Sequence, residues 1–165
     1  MKKVTRPDTS IDQQPARIAI ATRITIGVAM GALGAVMLIL AFPPYNVWPL
    51  IFLAFVPILL ADYRVLPQRW AGLANAIGTG VWLYVYLTMI FGLNTSTWYM
   101  QAIALLVAVM LFATGRGLRV FNEHTHYRWF VLCGIASTIG VEMIRSFIPI
   151  IATHAYVGHA VHTQP

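Results

Sequence analysis

The sequence predicts an all-α integral membrane protein, a bundle of about five transmembrane helices with the N-terminus inside and the C-terminus outside. Three observations carry this. Of the 165 residues, 59% are hydrophobic and only 10% are charged, against about 25% charged in an ordinary soluble domain. The mean hydropathy is +0.73, and the apolar residues gather into runs close to the roughly 17 to 25 residues that cross a bilayer as a helix. The basic residues fall in alternate gaps between those runs, as membrane topology requires. That much apolar surface, with so few charges to cover it, calls for lipid rather than water as the surrounding medium.

The runs follow in order. Residues 1–23 form a basic cytoplasmic tail, residues 24–152 a five-helix transmembrane domain and residues 153–165 a short outer tail. The first run, 24–42, contains no charge. Like a signal sequence it follows a basic tail, but no small-residue cleavage pattern follows it, and it exceeds the roughly 7 to 15 residues of a signal core, so it reads as a retained helix. The second run, 47–61, is short and is expected to be tilted, kinked at Pro57 or supported by its neighbours. The third, fourth and fifth cover 70–93, 98–115 and 129–152, the last with Glu142 and Arg145 inside it. Lys2, Lys3, Arg6, Arg17, Arg23, Arg64, Arg69, Arg116, Arg119 and Arg128, ten of the eleven basic residues, lie on one side of this alternation. The gaps 43–46 and 94–97 carry none. That places the tail and the two basic loops in the cytoplasm.

The net charge of +6 is thereby explained without nucleic acid, since no basic stripe with interleaved aromatics occurs on a soluble segment. One cysteine excludes a disulfide scaffold, and the apolar dominance excludes a disordered chain. Tyr45, Trp48, Trp70, Trp98, Tyr99, Tyr127 and Trp129 flank the runs as an interfacial belt. Gly27, Gly31 and Ala35, and again Gly72, Ala76 and Gly80, recur at four-residue spacing. Such stripes either let helices approach closely or reflect the ordinary glycine content of membrane helices.

Chemistry-bearing residues are sparse. Glu142 and Arg145 are three residues apart, on one helical face, at a depth where each charge costs about 2.5 to 3.5 kcal/mol at a helix centre. They read either as a lipid-headgroup contact near the outer leaflet or as a structural ion pair. Trp82, Tyr84 and Tyr86 lie inside the third run and face a cavity or the bundle. His124, His126, His154, His159 and His162 lie in loops and the tail without the Cys or carboxylate partners that a four-coordinate site needs, so no metal and no cofactor is expected. Cys133 sits in an apolar run, which opposes the thiolate a nucleophile requires. No nucleotide loop, Gly-x-Ser-x-Gly or His-Glu-x-x-His occurs. Covalent or hydrolytic catalysis is therefore not expected from these residues alone.

The segment from Leu40 to Leu50, Leu-Ala-Phe-Pro-Pro-Tyr-Asn-Val-Trp-Pro-Leu, resembles the hairpin between the first two helices of bacterial apolipoprotein N-acyltransferases. Val56-Pro-Ile-Leu-Leu-Ala61 continues the likeness. Trp82-Leu-Tyr-Val85 is similar to the family's Trp-Val-Tyr-Val, Glu142-Met-Ile-Arg145 to its Glu-x-Leu-Arg, and Gly158 falls where the family has the glycine of Gly-Tyr-Ser-Gln. Together these cover about residues 24 to 161. There are departures: Tyr86 stands where the family has Ser, Thr138 where it has Trp, and Ile151-Ala-Thr-His154 where it has Gly-Phe-Pro-Trp. The resemblance implies the membrane domain of such an enzyme, truncated before the nitrilase-like domain that holds the Glu-Lys-Cys triad. No position here inherits those roles, and Cys133 is not their cysteine.

The family implies a bacterial inner-membrane, multi-pass location and transfer of a phospholipid acyl chain to a lipoprotein. Two readings stand on that resemblance. In one, the chain is the membrane-embedded part of a lipoprotein N-acyltransferase-like system, without its own catalytic domain. In the other, it is a degenerate, non-catalytic accessory subunit of a larger membrane complex. Both give membrane phospholipid and other membrane protein chains as partners. A small transporter fits poorly, because no internal repeat or pair of broken helices is present.

Overall fold

The computed structural model of the chain describes residues 10–91 and 98–147. Among the described residues there is helix and turn but no strand. The helices are α1 (Ser10–Ala41), α2 (Leu50–Leu60), α3 (Leu73–Phe91), α4 (Trp98–His124) and α5 (Phe130–Ser146), with a π-helical turn at Ala61–Val65 and a 3₁₀ turn at Gln68–Trp70 between α2 and α3. Ala19–Ala41 of α1 and Gln101–His124 of α4 are long and apolar enough to cross a membrane. Helix α1 begins well before residue 24, within the stretch read from the sequence as tail. Gln13, Gln14, Ala16 and Arg17 favour this extension past the apolar run, and Pro15 within it opposes it.

Helices α1 and α2 are joined by a tight turn containing the cis Pro43–Pro44 bond. The turn is closed by the Val47 amide donating to the Leu40 carbonyl at 2.9 Å and the Tyr45 amide to that of Phe42 at 3.1 Å. Asn46 takes the left-handed conformation there, with φ 55°, a conformation that Asn tolerates better than most side chains. Eleven residues make α2, about 17 Å long and thus roughly half a bilayer. It is supported by its neighbours: Ile51, Ala54 and Ile58 are buried, and Ile58 fits between two glycines. A Cβ on Gly34 would come 2.5 Å from Ile58 Cγ1, and one on Gly78 2.6 Å from Ile58 Cδ1. Glycine at both positions makes room for one large knob, the arrangement by which membrane helices gain contact without a hydrophobic driving force.

Helix α3 lies between α1 and α4. Gly31 of α1 meets the Ala74 backbone and Phe42 meets Trp82, so α1 and α3 run the same way. Gly80 meets Ala108 of α4, and Gly72 meets the Phe112 backbone, so α4 runs back against α3. Leu38, Phe42, Ile58, Leu66 and Leu87 are the largest apolar side chains fully buried in this core. The outward faces carry Leu33, Val36, Phe52, Leu53, Leu105, Leu106 and Val109, all exposed, a belt that suits hydrocarbon rather than water. On α5, Val131, Leu132, Ile135, Ile139 and Met143 are likewise exposed, as is Phe147 just past its end. Phe130 links it to the bundle, its ring meeting that of Tyr63 edge-on at 5.1 Å.

Candidate functional site

The buried polar residues gather at one end of the bundle, where α2 passes into α3. The π turn makes one wide loop, with the Leu66 amide donating to the Ala61 carbonyl five residues back at 2.8 Å. Such turns are rare and frequently mark functional positions. It directs Asp62, 4% exposed, at the start of α3. The carboxylate accepts the amides of Ala74 at 3.1 Å and Asn75 at 3.3 Å, satisfying donors that a helix N-terminus leaves open. Gly72, with φ +90°, brings the chain into that cap in a conformation that glycine adopts without strain.

Arg119, 9% exposed, reaches the same turn from α4. Its Nη1 donates to the carbonyls of Asp62 at 2.6 Å and Leu66 at 2.7 Å. Its Nε donates to Glu123 at 2.8 Å, and Gln68 donates to the other oxygen of Glu123 at 2.7 Å. From α1, Arg23 Nε donates to the Val65 carbonyl at 2.7 Å. Asn122 donates to the Tyr63 hydroxyl at 3.2 Å. One five-residue turn thus ties α1, α3 and α4 together through charge-assisted bonds, which are stronger than neutral ones. Burial pushes the Asp62 carboxyl up to about 6, against the opposing pull of the Ala74, Asn75 and Gly72 amides and of the Arg119 guanidinium. Burial also pushes the Tyr63 hydroxyl up, with the Asn122 hydrogen bond opposing.

Midway along α3, Trp82 is buried among aromatics. Its ring lies 4.9 Å from Phe42 and is stacked on Tyr86 at 5.9 Å, while Tyr86 meets Phe42 edge-on at 5.2 Å. The indole Nε1 of Trp82 is buried without an acceptor among the described residues. Tyr84, two residues on, is exposed on the outer face of α3.

The other residues singled out from the sequence fall as follows. Gly27 meets the Leu66 side chain, Gly31 the Ala74 backbone and Gly80 the Ala108 side chain. Gly72 precedes α3 rather than lying within it, and its place is set by the Asp62 cap. Cys133 is free and half-buried on α5. His124 and His126 are exposed. Among the described residues no group of three His, Cys, Asp or Glu is placed to hold a metal ion. Glu142 and Arg145 lie on α5, with side chains outside the described residues; His154, Gly158, His159 and His162 lie outside them altogether.

Sequence reading missed Asp62, Asn122 and Glu123, and read Arg23 and Arg119 as topology signals alone. One signal was available: Asp62 is the single carboxylate between Asp12 and Glu123, and it stands directly at the end of an apolar run, where a charge needs a partner. A model of the apolipoprotein N-acyltransferase N-terminal domain matches residues 34–165. No curated protein and no solved structure matches the chain.

Proposed function

The chain belongs to the apolipoprotein N-acyltransferase N-terminal domain family, and from that premise we propose that it is the membrane-embedded part of a lipoprotein N-acyltransferase-like system. The observation that carries this is the family match, which runs from within α1 through the hairpin and the α2–α3 turn to residue 165. In this role the bundle spans a bacterial inner membrane five times, N-terminus inside, and holds phospholipid for acyl transfer to a lipoprotein. The chemistry comes from a nitrilase-like domain lying outside these 165 residues. Glu142 and Arg145 serve as a lipid-contacting or structural polar pair near the outer leaflet, and Tyr84, exposed on α3, faces lipid while Trp82 packs inside the bundle.

The test is complementation. In bacteria depleted of their own N-acyltransferase, the chain is expressed with and without a nitrilase-like domain on a second chain. Mass spectrometry of a reporter lipoprotein is expected to show the third acyl chain only when both are present. Lipoprotein that stays diacylated in both cases sinks the proposal. A reporter active only in the periplasm, fused after Pro165, tests the topology: a well-expressed, inactive fusion refutes five spans.

One observation favours the accessory-subunit reading. Tyr86, at the position where the family resemblance has Ser, packs an aromatic ring against both Phe42 and Trp82. A Tyr86→Ser variant that gains acylation in the same assay supports a degenerate site in the native chain.

A further inference from the structure

We propose that the α2–α3 end of the bundle is a binding surface for anionic phospholipid headgroups of the leaflet it meets, with Arg64, Arg69, Arg116 and Arg128 as its ligands. This goes beyond acyl transfer and requires only that the chain spans a membrane.

Compensation at this end of the bundle is uneven. The carboxylates described at this end are already committed: Asp62 to the amides of Ala74 and Asn75, and Glu123 to Arg119 and Gln68. Arg119 is buried and pinned by two carbonyls. Arg64, Arg69, Arg116 and Arg128, in contrast, are all exposed, and no carboxylate among the described residues pairs with them. Four guanidiniums thus remain without a carboxylate partner among the described residues, Arg69 lying over the Trp70 ring at 5.9 Å.

The fold brings these four to one end. Tyr127 packs on Tyr63 with ring centroids 6.3 Å apart, which sets Arg128 and Arg64, the next residue in each case, beside the same contact. A Cβ on Gly115 would lie 2.7 Å from the Gly72 Cα, so Arg116 and the 3₁₀ turn carrying Arg69 flank one crossing of α4 over the entry to α3. Tyr127 and Trp129 are exposed next to Arg128, as interfacial aromatics are at headgroup depth. Guanidinium presents a planar fork to phosphate oxygens, and a basic cluster beside a membrane-spanning helix is attracted to anionic lipid. An exposed cluster at this depth fits a lipid phosphate rather than a soluble anion, because the apolar belt below it holds the acyl chains.

The test uses the full chain in nanodiscs made from a phosphatidylethanolamine-rich mixture containing phosphatidylglycerol, followed by native mass spectrometry of the lipid retained on release. Retained lipid is expected to be enriched in phosphatidylglycerol by about tenfold over the bulk, from attraction of about fivefold for each of two arginines in contact with one headgroup, partly offset by entropy. Raising ionic strength to about 1 M shortens the screening length to roughly 3 Å and is expected to remove most of the enrichment. The combined Arg64→Gln, Arg69→Gln, Arg116→Gln and Arg128→Gln variant is expected to retain lipid at the bulk ratio. Replacing the same four by Lys keeps the charge and part of the enrichment. Bulk-ratio lipid on the native chain, or enrichment unchanged in the Gln variant, overturns the proposal. If the Gln variant does not insert, the salt series on the native chain decides alone: enrichment indifferent to salt refutes it.

Discussion

Replacing Arg119 by Met tests whether the α2–α3 turn is the joint of the bundle. Arg119 Nη1 holds the Asp62 and Leu66 carbonyls at 2.6 and 2.7 Å, and Nε holds Glu123 at 2.8 Å. Met keeps much of the volume but donates nothing. Each buried carbonyl then loses a charge-assisted bond worth about 1.5 to 3 kcal/mol. Relief from burying the guanidinium offsets part of this, which leaves a net loss of about 3 kcal/mol, at the low end for breaking a buried charged contact. Glu123 is different. Its side chain is 33% exposed, and Gln68 still donates to it, so Glu123→Gln is expected to cost less than about 1 kcal/mol. At about 2 to 4 °C per kcal/mol for a chain of this size, Arg119→Met lowers the midpoint of thermal unfolding in detergent by about 6 to 12 °C, and Glu123→Gln by a few degrees at most. Hydrogen exchange adds a local readout, with protection lost first at Leu66 and at the start of α3. Equal shifts for the two variants, or an Arg119→Met shift within a degree or two, would mean that water satisfies the turn and would refute its role as the joint.

Other perturbations read neighbouring parts of the fold. Asp62 titrates near 6 in the folded chain, above its ordinary 3.8, so the folded state binds the proton more tightly. The contribution of Asp62 to stability is therefore greatest below about pH 4 and is lost as pH rises through 6, by about 3 kcal/mol in all for a shift of this size. Asp62→Asn retains a capping oxygen and is expected to flatten that fall in pH-dependent unfolding; an unchanged slope would assign it to other groups. Gly72→Ala forces a Cβ against the Phe112 backbone at φ +90° and is expected to cost about 1 to 3 kcal/mol, whereas Gly117→Ala, with open space around it, gains up to about 1 kcal/mol from helix propensity. Thermal melts that fail to separate these two would contradict the α3–α4 packing. If Glu142 and Arg145 pair in the membrane, Glu142→Ala destabilises more than the double change with Arg145→Ala; small, additive losses would mean that both reach water.

Much of this protein is legible without its structure. Membrane character, helical class and the position of the α1–α2 hairpin follow from composition, run length and a local motif, because hydropathy and turn chemistry are sums over neighbouring residues. The support of the short α2 was also open to sequence, as one of three options. What tertiary structure alone decides is the use of the polar residues. Arg23 and Arg119 look the same as Arg64 and Arg128 in the sequence, all of them basic residues on one side of the alternation. In the fold the first two are bonded to carbonyls of the turn, while the latter two are exposed and make no such bond among the described residues. Arg119 meets Asp62 across 57 residues, and Ile58 needs glycines on two different helices. Pairings at that separation leave no periodic trace, because the path of the chain between the partners, rather than the residues beside each one, brings them together.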